Sequence, residues 1–167
     1  MLFSEEITES AEALLEACRA ASVKLVAAES CTGGLVAGCL TEIAGSSDVV
    51  ERGFVTYSNE AKSELLGVPA ETIARVGAVS AEVAEAMALG ALERSRADLA
   101  VSITGIAGPG GDTPDKPVGL VYIGSARRGQ SALSERHLFE GDRTAVRLAS
   151  VEAALDLLAR QVASGGP

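Results

Sequence analysis

Short apolar runs of strand character alternate with stretches of three-and-four periodicity from one end of this sequence to the other, and that alternation restricts the fold more than any single motif does. From Ser4 to about Ala21, Ile7, Ala11, Leu14, Leu15 and Cys18 share one helical face, with acidic residues in the first turn where the helix dipole favours them. Lys24 to Ala28 reads as a strand and Leu35 to Ile43 as a helix, joined by a tight turn through Gly33 and Gly34. Val49 to Tyr57 predicts a second strand, followed by a short helix over Asn59 to Leu66 and a break at Gly67 and Pro69. Ser80 is placed to cap a helix that contains Val83, Met87, Ala91 and Leu92. Leu99, Val101 and Ile103 then alternate like a strand, Gly105 to Pro117 is a loop, and Val118 to Ser125 with Leu133 to Phe139 predict an antiparallel hairpin turning near Arg128 and Gly129. A helix from about Arg143 to Val162 closes the chain. The order predicts a three-layer α/β/α sandwich around a mixed parallel and antiparallel sheet.

Its core has to be built almost without rings. Of the 167 residues 47% are apolar but only 3% aromatic, with no Trp, so Ala, Val, Leu and Ile carry the packing and disorder is not expected. That length suits one domain spanning 1–167. No run of about 18 apolar residues occurs, which excludes a membrane-spanning helix. The 14 basic against 23 acidic residues leave a net charge of −9, the wrong sign for a general nucleic-acid binder. Cys18, Cys31 and Cys39 form no CxxC pair and the opening MLFSEEITES is not a signal peptide, so a cytoplasmic protein is expected. The single histidine, His137, has no second histidine with which to share a zinc ion and would be the only imidazole for any Ser-His-Asp arrangement. It reads as a packing or surface residue on a strand.

Chemistry is concentrated in a few places. In AAESCTGG, Ser30 ends an apolar strand just before a Gly-Gly turn and a helix whose first amides lack helical partners. Its hydroxyl is a candidate nucleophile and the amides a candidate oxyanion site; alternatively Ser30 and Thr32 only cap the helix. Cys31 is either a rival nucleophile or a small buried hydrophobe. In SITGIAGPGGD, Thr104 stands where a strand meets a long Gly-Pro loop, with a spacing that fits neither GxGxxG nor the lysine-bearing phosphate loop. Lys62, in YSNEAK, is either a surface charge or a partner of Ser58 four residues before it; Ser58 itself reads as a helix N-cap. Arg143, in GDRTAVR, is either a bidentate anion ligand or a plain charge at a helix start.

Taken together, AESCTGGL, GFVTYSNEAKSELLGV, GAVSAEVAEAMALGAL, SITGIAGPGGDTPDKPVGLVYIG and FEGDRTAVR closely resemble the C-terminal domain family of the competence-damage protein CinA, in the same order and over about Ile7 to Leu158. The stretch SSDVVERGFV departs from the more aromatic, glycine-rich version of that family. Enzymatic members deamidate nicotinamide mononucleotide to nicotinate mononucleotide and ammonia, so the resemblance implies a stand-alone amidohydrolase with Ser30 as nucleophile and Lys62 as base. It implies no metal or organic cofactor and a homo-oligomer. A lysine base must be neutral, which burial achieves by lowering its pKa, so Lys62 is expected to be buried with Nζ toward Ser30. By the same resemblance Tyr57 and Thr104 orient the pair or relay protons. Amides around Thr32, Gly33 and Gly34, or those of the Gly105 loop, hold the oxyanion. Arg143 and the N-terminus of the last helix take the phosphate, and Glu29 or Asp48 faces the pyridinium, with a purely structural Glu29 as the alternative. Two other classes stay open: a noncatalytic binding or interaction domain, and a Ser-Lys hydrolase of another small amide or ester.

Overall fold

The computed structural model describes residues 2–165. Five strands, β1 (Leu25–Glu29), β2 (Val50–Val55), β3 (Leu99–Gly105), β4 (Leu120–Arg127) and β5 (Leu133–Leu138), lie in the order β2-β1-β3-β4-β5. β2, β1 and β3 are parallel, while β4 and β5 run antiparallel to their neighbours. Six helices cover the two faces: α1 (Glu5–Ala21), α2 (Leu35–Glu42), α3 (Asn59–Leu66), α4 (Ala70–Val76), α5 (Ala81–Glu93) and α6 (Arg143–Ser164). The three-layer mixed-sheet architecture expected from the sequence is the one observed.

Alternation along the strands builds the two cores. Leu25, Ala27, Leu99, Val101 and Ile103 point toward α1, α2 and α6, whereas Val26, Ala28 and Ala100 point toward α3, α4 and α5. On the second face the sheet is paved with small residues, and α5 settles so close that a Cβ at Gly124 would meet the Ala84 carbonyl oxygen. Ser102 donates to that same oxygen. Close approach of backbone supplies here the packing that aromatic rings supply elsewhere.

The helix ends follow their sequence signals. Ser4, Ser58, Ser80 and Asp142 cap α1, α3, α5 and α6, each side chain accepting from an amide three residues on. Gly67 ends α3 in the left-handed region, with φ 68°. The structure adds two elements not expected from sequence, a 3-10 turn over Ser46–Asp48 and the seven-residue α4, which begins after Pro69. β4 starts at Leu120 rather than Val118, because Gly119, with φ 91°, turns the chain first and lies against the backbone of Phe139. The expected hairpin turn is at Arg128 and Gly129.

Gly90 of α5 faces the end of α3, where a methyl group would overlap the Leu66 carbonyl oxygen. Gly90→Ala is expected to lower unfolding stability by about 1–3 kcal/mol through overpacking, despite the better helix propensity of alanine. The midpoint of urea unfolding measures it, and a midpoint at or above that of the wild type would show that α3 is free to shift.

Candidate active site

β1 connects to β2 on one side of itself, and the chain then crosses to β3 on the other side. A crevice therefore opens where the carboxyl ends of β1 and β3 diverge, the place where open α/β sheets hold ligands. Ser30 sits there as the residue after β1, fixed by its amide, which donates to the Ile103 carbonyl at 2.9 Å. A cleft of about 490 Å³ opens at this edge, and Ser30, Tyr57, Asn59, Lys62, Thr104 and Arg143 line it together with the loop that follows Gly105.

Lys62 is among the most buried large side chains of the protein, at 1% exposure. It shares the inward face of α3 with Leu66, four residues on, a place where an apolar residue is the usual choice. From there Nζ reaches Ser30 Oγ at 2.9 Å, the Thr56 carbonyl at 2.9 Å and the Tyr57 carbonyl at 3.4 Å. Burial pushes the Lys62 ammonium below the usual lysine range. A neutral amine fits the three partners well: two N–H bonds satisfy the two carbonyls, and the lone pair is left for the Ser30 hydroxyl proton. The Ser58 hydroxyl caps α3 by accepting from the Ala61 amide and makes no bond with the Lys62 side chain.

The turn after Ser30 is tied from both sides. Glu29, 1% exposed, accepts from the amides of Gly34 and Val36 through one carboxylate oxygen and of Ala37 through the other, so it occupies the N-terminus of α2. The Gly33 amide donates to the Ser30 carbonyl at 3.0 Å. The amides of Gly33 and Gly34 are thus committed within the protein, and Thr32, Gly33 and Gly34 do not line the cleft. Arg147 of α6 donates to the carbonyls of Cys31 and Thr32, both at 3.0 Å. Gly33 is left-handed, with φ 59°, and a Cβ there would stand 3.3 Å from Arg147, so both conformation and space call for glycine.

Thr104 and Gly105 are at the end of β3. Thr104 donates its hydroxyl proton to the Ala78 carbonyl at 2.8 Å, which fixes the 77–80 segment as the far wall. Arg143 spans the mouth, donating to the Gly108 carbonyl at 2.9 Å and to the Tyr57 hydroxyl at 3.1 Å. The Tyr57 ring is 63% exposed. The structure therefore brings Ser30, Lys62, Tyr57, Thr104, Gly105 and Arg143 to one cleft.

Other expectations are corrected. Glu29 is spent on α2, and Asp48 pairs with Arg19 at 2.7 Å at the opposite edge of the sheet, so neither faces the cleft. The N-terminus of α6, expected to receive an anion, already has the Asp142 carboxylate on the Ala145 amide. Burial pushes the Cys31 thiol up to about 11, which leaves it protonated at neutral pH and unsuited to be the nucleophile. His137 lies on the edge strand β5, stacked on Phe139 and beside Glu135. Arg147 was missed by sequence reading, although it follows Arg143 by four residues and so stands on the same helix face. Among the described residues, no cluster of three His, Cys, Asp or Glu side chains is placed to hold a metal ion, and no helix is long and apolar enough to cross a membrane.

Comparison with known proteins agrees with this picture. The sequence model of the CinA C-terminal domain matches residues 7–162. The chain is 52% identical to a CinA-like protein of Citrifermentans bemidjiense over 95% of its own length, but spans only 38% of that protein. It is 49% identical to the nicotinamide-nucleotide amidohydrolase PncC of Escherichia coli K12, over 93% of this chain and 94% of that one. The crystal structure of the competence/damage inducible protein CihA from Agrobacterium tumefaciens superposes with a TM-score of 0.93 at 50% identity, covering 96% of this chain and 98% of that one.

Proposed function

This chain belongs to the CinA C-terminal domain family, and from that premise we propose that it hydrolyses the carboxamide of nicotinamide mononucleotide to nicotinate mononucleotide and ammonia. The observation that carries the reading is the buried 2.9 Å contact between Lys62 Nζ and Ser30 Oγ inside a cleft of substrate size. Support for the substrate comes from the E. coli relative, which matches nearly end to end.

The chemistry follows from the partners. Neutral Lys62 takes the Ser30 proton as Oγ attacks the carboxamide carbon, and the carbonyl oxygen becomes an oxyanion. When that intermediate collapses, the Lys62 ammonium gives its proton to the departing amide nitrogen, which leaves as ammonia and an acyl ester on Ser30. A water molecule then attacks the ester, passing a proton to Lys62; the C–O bond to Ser30 breaks, Oγ recovers that proton, and the acid product departs as its carboxylate, its remaining proton going to solvent. Splitting one difficult displacement into two is what the covalent intermediate contributes. Arg143 is suited to the substrate phosphate once it exchanges the Tyr57 hydroxyl for phosphate oxygens, and Tyr57 and Thr104 then border the reacting group. The whole chain acts in this reading as one amidohydrolase domain. It acts in the cytoplasm, where its three free cysteines stay reduced, and as a homo-oligomer.

The direct test follows ammonia and nicotinate mononucleotide released from nicotinamide mononucleotide by the wild type beside Ser30→Ala and Lys62→Ala. A wild type without turnover would leave a binding domain of the same fold. The pH dependence is a second check. Lys62 works only when unprotonated, so kcat/KM is expected to rise with pH along a single ionisation whose pKa lies below the ordinary lysine value of about 10.4. A limb at or above that value would mean that the base is not a buried lysine.

A further inference from the structure

Nine backbone groups around the nucleophile can be traced to their partners, and the tracing leaves two over. The Ser30 amide goes to Ile103, the Ser30 carbonyl to the Gly33 amide, the Cys31 and Thr32 carbonyls to Arg147, and the amides of Gly34, Val36 and Ala37 to Glu29. The Leu35 amide also goes to the Thr32 carbonyl. The amides of Cys31 and Thr32, both in buried residues directly after Ser30, have no acceptor among the described residues. Buried amides are nearly always paired, so two successive unpaired ones beside a nucleophile are a site that awaits an acceptor.

What aims them is the direction of their own carbonyls. In a trans peptide the N–H points opposite to the C=O. The Thr32 amide shares a peptide with the Cys31 carbonyl, so Arg147, by holding that carbonyl at 3.0 Å, turns the Thr32 N–H away from α6. The second bond of the guanidinium, to the Thr32 carbonyl, fixes the next peptide and keeps the turn from rolling. Only a planar fork spans two successive carbonyls in this way, and its charge adds positive potential at the turn, felt at Cys31.

We propose that Arg147 is a positioning residue for the reaction: by clamping the Cys31 and Thr32 carbonyls it holds the turn after Ser30 so that the Cys31 amide, the one of the two whose residue lines the cleft, receives the oxyanion formed when Ser30 attacks. The proposal rests on the amidohydrolase reading above, and its test separates the two. Arg147→Ala and Arg147→Lys are compared with the wild type in nicotinamide mononucleotide hydrolysis and in phosphonylation of Ser30 by a fluorophosphonate. In the second reaction Oγ attacks phosphorus, fluoride leaves, Lys62 takes the proton, and the phosphoryl oxygen needs the same amide, but no nicotinamide is involved.

Loss of a correctly aimed oxyanion donor is expected to lower kcat and the phosphonylation rate of Arg147→Ala by about 10²–10³-fold, with KM little changed. Guanidinium ion added well below unfolding concentrations is expected to restore part of the rate. Arg147→Lys keeps the charge without the fork and is expected to stay slow, which serves as the test should the alanine variant not fold. Wild-type rates in either folded variant would overturn the proposal. So would losses that track the folded fraction and ignore guanidinium, because a purely structural contact behaves that way. If the wild type is phosphonylated but leaves nicotinamide mononucleotide intact, the substrate reading falls and the phosphonylation rates alone decide the role of Arg147. If it does neither, Ser30 is not a nucleophile and both readings fall.

Discussion

Ser30→Ala is expected to lower kcat for nicotinamide mononucleotide hydrolysis by about 10⁴–10⁶-fold, because among the described residues no other hydroxyl or thiol is hydrogen-bonded to Lys62. Its neighbour Cys31 is held as a thiol by burial, and His137 is on the far edge of the sheet. The variant should fold normally. Lys62 Nζ loses one partner but keeps the carbonyls of Thr56 and Tyr57, and the Ser30 amide still donates to Ile103. The stability change is therefore expected to stay within about 1 kcal/mol, the net worth of one hydrogen bond. Substrate affinity, measured by calorimetry, should be close to that of the wild type, since in the proposed mode the phosphate is held by Arg143 rather than by Ser30. A folded Ser30→Ala protein that still releases ammonia at a comparable rate would move the nucleophile elsewhere.

Lys62→Met is the second large effect, a fall in kcat of about 10⁴-fold, at the upper end of what general acid-base catalysis contributes. Methionine nearly matches the length of lysine, so the inward face of α3 stays filled. The stability comparison carries its own sign. Because burial lowers the folded-state pKa of Lys62, the unfolded chain binds more protons than the folded one between that pKa and the ordinary lysine value. Wild-type stability therefore rises with pH across this window, and a methionine variant lacks the rise. Relative to the wild type, Lys62→Met is expected to be most stable at low pH and to lose that standing as pH climbs, which urea unfolding at a series of pH values reads directly. In the double variant with Ser30→Ala the rate should fall no further than in either single one, since the two residues act as a unit. Additive losses would mean that they act in separate steps.

The strands, the long helices and their caps were legible because each rests on local signals: apolar spacing, a serine or aspartate before a helix, a glycine after it. α4 was not, because seven residues between Gly67 and Gly77 give barely two turns of periodicity and start after a proline. Lys62 could be named from a motif, but its burial could not be read, since nothing in EAKSEL distinguishes an inward lysine from a solvated one. Glu29 shows the opposite limit. A carboxylate next to the nucleophile suggested contact with a cationic substrate, and the free amides of α2 claimed it instead. Arg147 escaped notice because its partners lie 115 and 116 residues earlier in the chain, and only the sheet crossover and the docking of α6 bring them together.

That separation sets an order of events. A ribosome delivers residues at about 5–20 per second, so the turn that bears Ser30 waits roughly 6–25 seconds before Arg147 is even made. Strand β1 and helix α3 can meet during that interval and join Ser30 to Lys62, while the two carbonyls beyond Ser30 still lack their clamp. If Arg147 acts as proposed, a nascent chain reacts slowly with passing amides until its last helix is in place, and a product that ends before α6 carries the nucleophile and the base without the clamp that speeds them.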